Sequence, residues 1–166
     1  QALTSWLGLG ADHKISALDV DPRTNTVGSA LVAMVDTTFA PAETKNPAKM
    51  LPFIQPGRKW ILYPGTTDPA FPVAPTVQFY QELSALLHGR DKAAANVRLF
   101  LVPGMQHCSG GIGPDQFDTL SAIEAWVERG KAPESIAAHT KADASVVPHE
   151  LPLCPYPRQA RFSGFG

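Results

Sequence analysis

Val97-Arg98-Leu99-Phe100-Leu101-Val102-Pro103-Gly104-Met105-Gln106-His107-Cys108 is the stretch on which the reading of this chain turns. Its first six residues form an apolar, β-prone run interrupted only by Arg98, ended by Pro103 and opened into a loop by Gly104. In open α/β sheets, ligands and reactive groups collect at the carboxyl ends of the strands. A histidine on a glycine-opened loop just past a buried strand is therefore placed as a general base would be. An absence is equally informative. No Gly-x-Ser-x-Gly occurs in residues 1–166, so the serine elbow that such a base commonly serves is missing from this sequence.

Working outward, Lys59-Trp60-Ile61-Leu62-Tyr63 reads as a second buried strand, stopped by Pro64-Gly65. The loop Thr66 to Pro72 follows. From Pro75, Val77, Tyr80, Leu83 and Leu87 recur at helical spacing, with Gly89 as a C-terminal stop. Beyond the histidine loop, Phe117, Leu120, Ile123 and Val127 mark one helical face, with Trp126 beside it. Asp115 and Asp118 fall near the start of that helix as favourable N-terminal charges; Gly130 and Pro133 close it. The order strand, helix, strand, helix predicts two parallel strands joined by a crossover helix and buried on both faces.

The flanks are less legible. Leu18-Asp19-Val20-Asp21 alternates like a short exposed segment, and Gly28 to Val35 fits either a short helix or a buried strand. Pro41, Pro47, Pro52, Pro56 and Gly57 are connector chemistry and set a boundary near residues 46 to 56. Residues 132–166 carry five prolines and little periodicity, which predicts an irregular strap over the surface.

The chain is 44% hydrophobic and 17% charged, a globular balance. With 14 basic and 15 acidic residues and no basic run, it lacks the concentrated positive face that nucleic acid requires. No apolar run approaches the roughly 20 residues that span a bilayer. Neither an initiator Met nor a signal-peptide layout stands at Gln1, which reads as a fragment or a processed chain. Cys108 and Cys154 match no zinc pattern and no Cys-x-x-Cys redox pair.

The candidate chemistry rests on two residues. Asp68 lies just past the end of the first strand and His107 just past the end of the second. Neighbouring strands run about 4.8 Å apart, so loops at their same ends bring side chains together. A carboxylate there accepts the imidazole Nδ1–H, fixes the tautomer and stabilises the imidazolium formed during acyl transfer. Taken singly, Asp68 only opens an Asp-Pro turn and His107 only caps a loop; at equivalent ends of consecutive strands they read as an acid–base pair. Their order also agrees with the α/β-hydrolase order of serine, acid, histidine. Phe71, three residues after Asp68, is placed either to line an acyl pocket or to fill a core. His88 suits a helix C-terminus, and His13, His139 and His149 have no partner at metal-ligand spacing. Asp19 and Asp21 lack a full cation-loop pattern. Ser109 is too close to the base to be attacked through it, and Gly110, Gly111 and Gly113 are not followed by the Lys-Ser/Thr of a phosphate loop.

These words also resemble a known family. Leu62-Tyr63-Pro64-Gly65-Thr66-Thr67-Asp68-Pro69, Val102 to Cys108, Phe117-Asp118 with Ala125 to Pro133, and Pro152-Leu153-Cys154-Pro155-Tyr156-Pro157 are similar to the C-terminal portion of tannase/feruloyl esterase family proteins. The resemblance runs in register from about residue 50 to the end. It implies an α/β fold: the C-terminal part of an α/β-hydrolase sheet of parallel strands and crossover helices, incomplete without an upstream segment. It further implies residues 1–46 as the end of a lid domain and its return connector, and residues 47–166 as the C-terminal part of the catalytic domain. By the same resemblance Asp68 is the triad acid, His107 the base, and Cys108 is bridged to a cysteine beside the upstream nucleophilic serine. The implied activity is hydrolysis of aromatic-acid esters, by a protein exported to the periplasm or the exterior. No cofactor is expected in this chain; a family calcium site would fall in lid sequence outside it. Residues 1–166 alone are expected to be inactive. A catalytically dead relative that binds aromatic ligands, or an unrelated small α/β binding domain, are the competing readings.

Overall fold

The computed structural model describes residues 20–21, 26–27, 46–141, 147–161 and 164. The chain divides into two compact units, 1–45 and 46–166. Of the first, only a short antiparallel ladder is described, β1 (Val20–Asp21) with β2 (Thr26–Val27). The expected lid end, the Gly28 to Val35 segment, His13 and Asp19 lie outside the described residues.

The second unit opens at Asn46, whose side chain accepts the Ala48 amide at 2.9 Å and starts a 3-10 turn (Pro47–Met50) leading into α1 (Leu51–Ile54). β3 (Trp60–Leu62) and β4 (Val97–Leu99) then pair in parallel, Trp60 opposite Val97 and Leu62 opposite Leu99. The pairing continues past both strands through the Phe100 amide to Leu62 and the Val102 amide to Pro64. The crossover is α2 (Val73–Leu86) followed by a short α3 (Arg90–Ala93). Helix α2 begins two residues before the expected Pro75, because a proline in the first turn forfeits no intrahelical bond. Its end is held by the Gly89 amide on Ser84 and the His88 amide on Ala85. His88, not Gly89, takes the first left-handed position after the cap (φ +65°), so its role here is a backbone turn.

Side chains alternate off β4 into two cores. Val97 and Leu99 join Ile54, Tyr80 and Leu83 beneath α2; Phe100 and Val102 join Met105, Ile136, Ala138 and Leu153 on the other face. The parallel pair is thus covered on both sides, as the apolar runs, broken only by Arg98, predict.

Two expectations fail. Residues 132–166 are not an irregular strap. β6 (Ile136–His139) pairs antiparallel with β5 (Gln116–Phe117) on one side and with β7 (Glu150–Leu153) on the other. Ile136 and Ala138 point into the core while Ala137 and His139 are exposed, a two-residue period too brief to stand out. Pro152 is tolerated because β7 is an edge strand. Second, α4 (Thr119–Arg129) buries Trp126, while Leu120 and Val127 of the expected face are exposed and Phe117 belongs to β5. Asp118 caps α4 by accepting the Ser121 amide at 2.8 Å, and Gly130 ends it in the left-handed conformation. Lys59 and Arg98 place their cations over Trp126, at 5.5 and 5.8 Å from its ring.

Candidate active site

Two loops leave the carboxyl ends of β3 and β4, and the backbone zips them together. The Thr66 amide donates to the Val102 carbonyl at 3.0 Å, and the Thr67 amide and hydroxyl both donate to the Met105 carbonyl, at 3.1 and 3.0 Å. In return the Gly104 amide donates to the Thr66 hydroxyl at 2.9 Å. Gly65 makes this approach possible: a β-carbon there would overlap the Met105 and Gln106 carbonyl oxygens.

The histidine loop is braced from within. Met105 is buried as an anchor, the Gln106 amide donates to Gly110, and the Gly113 amide donates to Gly104. Gly111 and Gly113 sit where side chains would strike the Gly104 and Pro103 carbonyls, which accounts for the glycine run without a phosphate. Asp115 accepts the Gly110 amide at 2.7 Å and the Lys141 amide at 3.3 Å. The Gly110 amide draws its carboxyl below the ordinary range, against some burial, with Gln116 and Lys141 adding to the effect. It is a brace of the loop and not a charge in the first turn of α4, which begins only at Thr119.

Asp68 and His107 meet between the loops. His107 Nδ1 lies 2.7 Å from Asp68 Oδ2. Asp68 Oδ1 accepts the Ala70 amide at 2.8 Å and the Phe71 amide at 2.9 Å. The side chain of Asp68 is only 8% exposed, that of His107 56%. Burial would raise the Asp68 pKa, but the Phe71 amide, His107 and the Ala70 amide together hold it below the ordinary value. An ionised carboxylate can only accept, so Nδ1 must be the donor and Nε2 is left to take a proton. Phe71 stacks on the His107 ring, centroids 5.1 Å apart and planes 30° apart.

Cys108 follows His107 with a left-handed backbone (φ +63°) and an exposed side chain; neither it nor Cys154 is bridged within this chain. His88 stands in the turn after α2 and His139 at the end of β6, while His149 turns its Nδ1 to the Val147 carbonyl at 3.0 Å. No group of three His, Cys, Asp or Glu suited to a metal occurs among the described residues. Sequence reasoning gave Thr66 and Thr67 no role, although the Thr-Thr between Pro-Gly and Asp was an available signal, and it read Asp115 as a helix charge instead of a loop brace.

The family model of tannase and feruloyl esterase matches residues 11–166. The chain belongs to that family. Among tannase and feruloyl esterase relatives, a mono(2-hydroxyethyl) terephthalate hydrolase of Piscinibacter sakaiensis is 50% identical over 66% of this chain and 18% of that protein. An uncharacterized esterase of Xanthomonas campestris pv. campestris is 32% identical over 95% of this chain and 32% of its own length. The chain therefore spans less than a third of these relatives. Feruloyl esterase B from Aspergillus oryzae superposes with a TM-score of 0.70 at 23% identity, over 86% of this chain and 31% of that one. This tannase and feruloyl esterase chain thus has the α/β-hydrolase-like fold of its family. No helix among the described residues is long and apolar enough to cross a membrane.

Proposed function

We propose that this chain supplies the acid and the base of a serine esterase acting on carboxylic esters of aromatic acids. The observation that carries the reading is the 2.7 Å contact between His107 Nδ1 and a carboxylate held in its ionised form. Family membership supports ester hydrolysis, and the names of relatives, a terephthalate monoester hydrolase and a feruloyl esterase, favour an aromatic acyl group.

In this reading a serine on an upstream segment of the same protein gives its hydroxyl proton to His107 Nε2 as its oxygen bonds to the ester carbonyl carbon. Asp68 balances the imidazolium. The imidazolium then protonates the leaving alcohol as the ester C–O bond breaks, leaving an acyl-serine. Water repeats the cycle: its proton passes to Nε2, its oxygen takes the acyl group, and the proton returns to serine as the acid departs. The cycle is redox-neutral and draws on no cofactor. Cys108, exposed beside the base, is bridged to a cysteine next to that serine, which places the protein in an oxidising compartment, periplasmic or external.

The test is to mix the full-length protein with an activated aryl ester of an aromatic acid, quench rapidly and measure intact mass. One added acyl group on a serine outside residues 1–166, absent in His107→Ala, is the expected result. Binding of the ester without acylation would make the protein an inactive ligand-binding relative.

A further inference from the structure

The contact between His107 and Asp68 sets one distance and does not by itself fix both side-chain torsions of the histidine. Coupled rotation about the Cα–Cβ and Cβ–Cγ bonds keeps that contact near 2.7 Å while carrying Nε2 through a small arc. Phe71 lies against the face of the ring, at 5.1 Å and 30°. Its position is no accident of a loose loop. Asp68 Oδ1 accepts the Phe71 amide at 2.9 Å, so the carboxylate that holds the base also folds the chain that brings Phe71 back over it.

We propose that Phe71 is a positioning residue for the base: its ring fixes the plane of the His107 imidazole and so aims Nε2, while Asp68 fixes Nδ1. This rests on the acyl-transfer reading above. It assigns Phe71 to the base, although an exposed aromatic near a triad invites the assumption that it serves the substrate. Stacking also sets the negative face of the phenyl ring against the imidazolium that forms in each half of the cycle, an attraction that grows as the charge develops. Removing the ring should therefore slow the chemistry for every acyl group, aromatic or not.

The experiment uses the full-length protein and two substrates that share a leaving alcohol, one with an acetyl and one with an aromatic acyl group. Phe71→Leu should lower kcat by roughly 10- to 100-fold on both, with KM little changed, as expected when a reacting group is misaimed by a fraction of an ångström. Phe71→Tyr and Phe71→Trp, which keep a ring on the imidazole, should recover most of the rate; a purely space-filling role would not distinguish them from Leu. Phe71→Met provides the ringless variant if Leu fails to fold. A loss confined to the aromatic substrate, or carried by KM, would mean that the ring serves the acyl group, and unchanged kinetics would mean that it serves neither; both overturn the proposal. Activity that survives His107→Ala would instead strike the acid–base reading itself, so the two failures are separable.

Discussion

Gly65 approaches the Met105 carbonyl so closely that no β-carbon fits between them. Met105 anchors the loop that carries His107, and two threonines separate Gly65 from Asp68, so this contact, with the Thr66 and Thr67 hydrogen bonds, sets how the acid and base loops meet. Gly65→Ala forces the loops apart. Overpacking of this kind typically costs about 1–3 kcal/mol, and a shift near 1 Å at the reacting groups costs about 100-fold in rate. Urea unfolding of the variant should show the first and kcat of the full-length protein the second. A variant that is as active and as stable as the parent would show that the loops do not depend on this approach.

Two carboxyls of the loops contribute to behaviour in acid, beside Asp118, lowered by the Ser121 amide, and Glu134, lowered by Arg158 and Arg98. Asp115, through the Gly110 amide, and Asp68, through the Phe71 amide and His107 against its burial, both titrate below their ordinary range in the folded chain. A carboxyl whose folded pKa is depressed adds stability that is fully present above the unfolded pKa and lost as pH falls through the folded one. The melting temperature should hold from neutrality to about pH 5 and fall below about pH 4. Asp115→Asn should lower the neutral-pH value and flatten the acid slope. An unchanged slope would remove Asp115 from the set of stabilising carboxylates.

Cys108 offers a test that activity does not enter. A bridge from Cys108 to a cysteine beside the nucleophile would tie base to serine and contribute about 2–4 kcal/mol. In the native, unreduced full-length protein, a thiol reagent should leave Cys108 unlabelled, although its side chain is exposed in this chain. Labelling at Cys108 before reduction would contradict the bridge.

The polypeptide of residues 1–166, expressed by itself, should give no His107-dependent hydrolysis of an activated aryl ester, since it contains no Gly-x-Ser-x-Gly. Turnover that disappears in His107→Ala would reveal a nucleophile within these residues.

What could be read from sequence follows from the strength of each local signal. β3 and β4 announced themselves because strands covered on both faces are mostly apolar, Arg98 being the one break, and Pro64-Gly65 and Pro103-Gly104 punctuate their ends. That alone brought Asp68 and His107 to neighbouring loops. β6 and β7 were illegible: each is four residues long, one contains Pro152, and β6 pairs on its other side with the two-residue strand Gln116–Phe117. The face of α4 was misassigned because Leu120 and Val127 are apolar yet exposed, while Trp126 is buried and Ala122 partly buried against the core. The stacking of Phe71 on His107 depends on an Asx turn at Asp68, which the Asp-Pro dipeptide suggested but could not aim.

The central claim, that Asp68 acts through His107, is most directly tested by a double-mutant cycle on kcat/KM in the full-length protein. Asp68→Asn keeps an oxygen for the Ala70 and Phe71 amides but sets an amide donor against Nδ1, forcing the wrong tautomer; it should lower kcat by on the order of 10⁴. Groups that work as a unit are strongly non-additive. Asp68→Asn added to His107→Ala should therefore cost almost nothing further. If the two losses multiply instead, Asp68 and His107 act independently, and the pair is not the acid and base of one reaction.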